Sequence, residues 1–195
     1  MNNERYAEIF RLAKELKDVD LLFRKADYLT PVMGITLNTS AFLNTIELLG
    51  TPEQAQKWRD LVMTAQAIGG YGQTELGHGS NVQGLETQAH YDEKTQTFEM
   101  KSPTTTSAKF WPGVLGSSGT HAVVQAKTFV KGKSIGIQTF IVPIRDENLN
   151  VLEGVEAGDI GPKLGFQRVD NGYLKLNKCT LPRDNMLMKY IKVTQ

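Results

Sequence analysis

The apolar spacing of this chain changes once, near residue 66, and that change limits the fold more than any other feature. Before it, apolar residues recur at three- and four-residue steps; after it, they recur at every second residue. Side chains three or four apart share a face of a helix, whereas side chains two apart share a face of a strand. A chain that runs helices first and short strands afterwards belongs to the α+β class, not to a series of βαβ units. An N-terminal helical domain is therefore expected over residues 1–65 and an antiparallel β-barrel or sandwich over residues 66–185. Residues 186–195 open a new helical pattern. No low-complexity linker separates the first two parts, so they are expected to pack together.

In the helical part, Ile9, Ala13, Leu16 and Val19 form one apolar row over residues 4–29, with Glu8, Arg11, Lys14, Glu15 and Lys17 opposite. That pattern predicts an amphipathic helix, broken near Lys17-Asp18, which must bury its apolar face. Pro31 interrupts it, and a second helix, apolar on most sides, is predicted over at least residues 40–49. Gly50 suits the left-handed position that closes such a helix. Thr51-Pro52-Glu53-Gln54 reads as a helix start: Thr51 caps, Pro52 takes the first helical position, and Gln54 completes a capping box. That third helix runs to about Met63 or Ala65.

Strands are predicted over Ile68–Gln73, Leu85–Tyr91, Phe98–Lys101, 121–130, Ile135–Val142 and Tyr173–Asn177. Asp92-Glu93-Lys94-Thr95, Lys131-Gly132-Lys133 and Asp170-Asn171-Gly172 supply turn signals between them. Gly132-Lys133-Ser134 mimics the end of a phosphate-binding loop, but Lys127 stands where that loop's first glycine belongs, and a hairpin turn is the expectation.

Two stretches carry chemistry. Tyr71-Gly72-Gln73-Thr74-Glu75-Leu76-Gly77-His78-Gly79-Ser80-Asn81 is rich in glycine, with hydroxyls at Thr74 and Ser80. Such a loop either offers backbone N–H groups and hydroxyls to a polar ligand or simply joins two strands. Lys109-Phe110-Trp111-Pro112-Gly113 sets two aromatics beside a proline and a glycine. It suits the wall of a flat heteroaromatic ring, and equally a core tryptophan at a turn. The third glycine of a dinucleotide fingerprint is replaced by Val82. His78, His90 and His121 lack metal-ligand spacing, so no metal site is expected. Ser80, His78 and Asp92 do not make a hydrolase triad, because Ser80 lacks its glycine-flanked elbow.

Composition excludes some classes. The net charge is +1, which gives no field for nucleic acid or an anionic membrane, and no interleaved basic and aromatic strand supports a nucleic-acid binder. No apolar run is long enough to span a bilayer. One cysteine makes no internal disulfide and fits a reducing compartment. Met1-Asn2-Asn3-Glu4-Arg5 lacks the build of a secretory signal, and Lys192-Val193-Thr194-Gln195 is no familiar address.

In combination these segments are more telling. The stretch from Tyr71 through Thr87 closely resembles the signature of the peroxisomal acyl-CoA oxidases, members of the acyl-CoA dehydrogenase superfamily. The likeness continues, in order and with family spacing, through Pro31–Ile35, Leu49-Gly50-Thr51, Lys109–Gly113, Gly158–Lys163, Asp170–Tyr173 and Pro182–Met188. Leu76-Gly77-His78 resembles the oxidase branch, since dehydrogenases usually place a proline after the glutamate. The resemblance implies a helical N-terminal domain, a central β-barrel domain and a C-terminal helical domain, the last of which this chain lacks. It implies FAD as cofactor, a fatty acyl-CoA as substrate, dioxygen as electron acceptor, a homodimer and a peroxisomal location. By position in the motif, Thr74 resembles the hydroxyl that meets the flavin's polar edge, with Tyr71 and Gln73 beside it. Gly113 resembles the backbone contact of the second segment, with Trp111 next to the ring system. Ser80, with Gly79, matches the position that contacts acyl-CoA, although Asn81 replaces the usual aspartate.

The family's catalytic glutamate lies in the C-terminal helical part, which would begin near Met186, so no catalytic residue is expected in this chain. Glu75 belongs to the flavin loop, and Glu86 and Glu99 are predicted on strands with structural duties. The chain alone is accordingly expected not to turn over. A dehydrogenase with another electron acceptor and a non-catalytic scaffold subunit are the alternatives.

Overall fold

The computed structural model describes Glu15, residues 36–167 and residues 169–193. Apart from Glu15, the helix predicted over 4–29 lies outside the described residues, as does Pro31–Ile35. A π-helical stretch, Asn38–Leu43, runs straight into α1, Asn44–Leu49. Phe42 and Ile46 are fully buried there, which contributes about 1.5–3 kcal/mol each. Gly50 closes α1, but its backbone is extended (φ −82°, ψ 162°) and not left-handed. Glycine is needed for another reason: a Cβ would lie 2.6 Å from the Ile46 carbonyl oxygen. Helix α2, Pro52–Met63, begins with the predicted capping box. Gln54 N–H donates to Thr51 Oγ1 (3.3 Å), and Thr51 N–H donates to Gln54 Oε1 (3.0 Å).

Nine strands follow among the described residues: β1 (Gly69–Gly72), β2 (Gln88–Asp92), β3 (Thr97–Lys101), β4 (Lys109–Gly113), β5 (His121–Val130), β6 (Lys133–Pro143), β7 (Val155–Asp159), β8 (Asn171–Leu176) and β9 (Cys179–Pro182). They form a six-stranded sheet in which β1, β2 and β6 flank β5, with β3 and β9 beyond β2, and a three-stranded sheet β4-β8-β7. The smaller sheet is antiparallel throughout. The larger one is mixed, because β1 and β2 both run parallel to β5. This departs from the expected antiparallel pattern. Turn signals report only the neighbours a hairpin joins, and β1 reaches β5 across a long excursion.

The hairpins appear where turn residues predict them. Lys131 (φ 52°) and Gly132 (φ 73°) both take the left-handed conformation that a two-residue turn between β5 and β6 requires. Asp170-Asn171-Gly172 differs, since Asn171 and Gly172 already belong to β8. Leu85-Glu86-Thr87 is irregular, and β2 starts at Gln88.

Strands β5 and β6 are buried on both faces over residues 122–124 and 139–142, hence the short apolar runs there. Ala122, Val124, Phe140 and Val142 pack in one core cluster with Phe98 and Met100 of the same sheet and Leu174 of the smaller one. Val123 and Ile141 face the helices, packing with Phe42, Ile46 and Trp58. The glycines of β1 allow this layering. A Cβ on Gly69 would sit 2.2 Å from the Phe42 ring, and one on Gly70 would sit 2.6 Å from the Gly113 carbonyl oxygen. Asn38 locks the junction, accepting from Gly69 N–H (2.8 Å) and donating to the Ala67 carbonyl (3.3 Å).

Where a new helix was expected, residues 186–193 form none. Their backbone is held by other segments: Leu187 N–H donates to the Thr139 carbonyl (2.9 Å), and Lys189 N–H to the Leu49 carbonyl (3.0 Å).

Candidate functional site

Strand β6 covers one edge of β5 along its length, so β1 and β2 share the other edge. Gly69–Gly72 lie opposite His121–Val124, and Gln88–Tyr91 lie opposite Lys127–Val130. The glycine-rich stretch is thus an excursion that leaves this edge after β1 and rejoins it at β2. It skips Gln125 and Ala126.

Hydrogen bonds fix the excursion. Glu75 and His78 exchange two backbone bonds (3.0 and 3.1 Å) around a tight turn. Leu76 N–H donates to the Ala108 carbonyl (2.8 Å), Gly77 N–H to the Thr106 carbonyl (2.9 Å), and Phe110 N–H to the Thr74 carbonyl (2.9 Å). The N–H groups of residues 75–78 are therefore spent within the chain and are not offered to a ligand.

The anion that this loop does cradle is its own. The Glu75 carboxylate, wholly buried, accepts from Glu86 N–H (2.8 Å), Thr87 N–H (2.9 Å) and Thr87 Oγ1 (2.6 Å). It also accepts from the ammonium of Lys109 (3.0 Å). Burial alone would raise the Glu75 pKa, but Lys109 and these donors bring it below the usual carboxylate value. Burial pulls Lys109 down to about 8, against the attraction of Glu75. The remaining Lys109 bonds run to the Gln125 carbonyl (2.7 Å) and the Gln73 carbonyl (3.3 Å). The ammonium thus fills the gap that the excursion leaves in the edge of β5.

Glu86 is a second hub. It accepts from Thr104 and Thr106 and pairs with His78 (2.9 Å). Thr104, His78 and Thr106 together lower its pKa to about 2. Both loop carboxylates are therefore committed to structure. Glu99 is exposed on β3.

Beside the excursion, β4 is distorted. Its pairing with β8 shifts between Phe110 and Gly113, and Trp111 has φ 81° and Val114 φ 65°. A bulky or β-branched residue in that region costs on the order of 1–3 kcal/mol and persists only where its surroundings impose it. Pro112, without an N–H, sits inside the bulge. Asn171 Nδ2 donates to the Trp111 carbonyl (2.7 Å). The bulge turns Trp111 outward, leaving it 49% exposed. There it lines a cleft of about 310 Å³ with Leu37, Phe166, Val169 and Asn171. Asn171 Oδ1 is buried and has no hydrogen-bond partner among the described residues.

The candidate residues are placed as follows. Tyr71 ends in a bond from its hydroxyl to Gln73 Oε1 (2.7 Å). Thr74 is half-buried, its carbonyl tied to Phe110, and no hydrogen bond of its hydroxyl is formed among the described residues. Trp111 follows Phe110 directly. Gly113 is buried against β1 and under Leu37, whose Cδ1 would be 2.4 Å from an added Cβ. Tyr71, Gln73 and Thr74 are thereby joined to the strand of Trp111 and Gly113. Gly79 and Ser80 lie on an exposed turn beyond His78. Sequence reasoning missed the role of Lys109, the pairing of Glu75 and the place of Asn171. A lysine heading an aromatic strand is the one local signal for the first of these.

No family profile matches the chain. Individual proteins do. Peroxisomal acyl-coenzyme A oxidase 1 of Pongo abelii is 47% identical over 177 residues, which is 90% of this chain and 27% of that protein. The human protein of the same name gives the same values. The chain spans about a quarter of the length of these curated relatives. Among solved structures, Arabidopsis thaliana acyl-CoA oxidase 1 superposes with a TM-score of 0.87 at 42% identity, over 98% of this chain and 30% of that one. Caenorhabditis elegans acyl-CoA oxidase-1, complexed with FAD and ATP, gives 0.80 at 43% identity, over 83% of this chain and 24% of that one.

Proposed function

This chain belongs to the acyl-CoA oxidase family over the segment it shares with its relatives, and from that premise we propose that it carries a flavin-binding wall of such an enzyme. The observation that carries the reading is the outward-turned Trp111, on a strand tied to the excursion by the Phe110 to Thr74 hydrogen bond. The residues suit a flavin. Trp111, Leu37, Phe166 and Val169 offer apolar surface to a flat ring. The Thr74 hydroxyl and the orphaned Asn171 Oδ1 offer hydrogen bonds to a polar edge. Thr74, Gly113, Trp111, Tyr71 and Gln73 would hold the FAD, and Ser80 with Gly79 would meet the acyl-CoA.

Bound there, FAD would supply the two-electron redox chemistry by which a fatty acyl-CoA would be oxidised to trans-2-enoyl-CoA and dioxygen reduced to hydrogen peroxide. The chain's own residues bind and orient; they do not take the substrate's α-proton. Glu75 is locked to Lys109 and Thr87, and Glu86 to His78, Thr104 and Thr106. By resemblance to the family, the base is proposed to lie in a C-terminal helical part outside these 195 residues. A homodimeric, peroxisomal enzyme is the expected setting.

Peroxide production tests this. The purified chain with FAD and a long-chain acyl-CoA is expected to give none above background. The longer enzyme containing this segment is expected to give peroxide without added acceptor. Turnover by the chain alone at its relatives' rate would contradict the placement of the base. Turnover of the longer enzyme only with an acceptor dye would make it a dehydrogenase.

A further inference from the structure

We infer that the buried Lys109–Glu75 pair is the positioning device of this wall, setting Thr74 and Trp111 side by side. The inference rests on the flavin reading for its purpose, though not for its geometry. One ammonium binds three segments: the Gln73 carbonyl before the excursion, the Glu75 carboxylate within it, and the Gln125 carbonyl on β5. Thr74 lies between two of these partners, so its backbone is held on both sides by one charge. Trp111 lies two residues after Lys109 on β4, and the Phe110 N–H to Thr74 carbonyl bond completes the link. Glu75 in turn fixes the returning end of the excursion through Glu86 N–H and Thr87.

Stability alone does not call for such a pair. The two side chains are 1% and 0% exposed, and desolvating both charges offsets most of their attraction. An apolar pair of similar volume would serve the core as well. It would not hold a carbonyl at the break in the β5 edge, nor two backbone N–H groups at the return.

The test uses the whole chain in four forms: wild type, Lys109→Met, Glu75→Leu and the double variant, with Thr51→Ala as a destabilised control. Three quantities are read: thermal midpoint, FAD affinity by flavin fluorescence, and amide exchange at Phe110. Each single variant is expected to lose midpoint. The double variant is expected to regain part of it, since no unpaired charge remains buried, yet to bind FAD about tenfold more weakly and to exchange Phe110 about tenfold faster, roughly the loss of one hydrogen bond. Thr51→Ala is expected to lower the midpoint alone. A double variant with wild-type affinity and wild-type Phe110 exchange would overturn the inference. Should wild type bind no FAD, the flavin reading fails, and Phe110 exchange still decides the positioning role.

Discussion

Lys109 and Glu75 stand 34 positions apart in sequence, and no periodicity relates them. Their pairing exists only because β1 and β2 share an edge of β5, which no turn signal announces. The glycines show the converse. Their presence at 50, 69, 70 and 113 was legible, but the reason for it was close approach of neighbouring atoms, not conformational freedom. His121 carries a prediction at this scale. Its ring packs at 4.9 Å from Trp58, next to a Thr120 hydroxyl at 2.9 Å from Nδ1. Burial, and secondarily Lys57, lowers its pKa from 6.5 to about 4. The unfolded chain therefore takes up a proton first as pH falls. Stability is full above about pH 6.5, declines through the window down to about 4, and flattens below it. The loss across the window is at most about 3–4 kcal/mol, from about 1.36 kcal/mol per pKa unit. Urea midpoints measured across that window are expected to fall in wild type and to fall less in His121→Gln.

Among the elements, α2 was the most legible, because a capping box is local chemistry written in four consecutive residues. Its further duty was not. Gln54 Oε1 also accepts from Met188 N–H (3.2 Å), and its Nε2 donates to the Asp184 and Met186 carbonyls (2.9 and 2.8 Å). One side chain thus ties the helix start to a segment about 130 residues later. Where composition suggested a helix, the N–H groups of Leu187, Met188 and Lys189 are bound by the Thr139 carbonyl, Gln54 Oε1 and the Leu49 carbonyl. Gln54→Ala is expected to cost about 2 kcal/mol, several bonds at roughly 0.5–1.5 kcal/mol less the partial rescue by water. It is also expected to speed amide exchange at Met188. Unchanged exchange there would show that the segment is held by Met186 and Leu187 packing instead. Strand β5 was legible to the residue from its β-rich composition, while β6, read over residues 135–142 from alternation, extends over Lys133–Pro143. β1 was legible as a strand, but its parallel partner was not.

On the scale of the whole molecule, the helices, a mixed sheet and an antiparallel sheet meet so that a glycine-rich excursion and a bulged aromatic strand lie together. The two stretches were visible in the sequence, each with a bland alternative. Their union was not, because it depends on the order of strands. The N–H groups of residues 75–78 proved to be consumed by the fold, and the proposed ligand-facing chemistry rests instead on the Thr74 hydroxyl, Asn171 Oδ1 and the face of Trp111. The most direct test is an FAD titration of the purified chain, followed by flavin fluorescence, with Thr74→Ala and Trp111→Ala alongside. The account predicts saturable binding by wild type, weakened about tenfold by either substitution, as expected for loss of one hydrogen bond or one aromatic wall. No saturable binding by wild type, or binding that neither substitution alters, would contradict it.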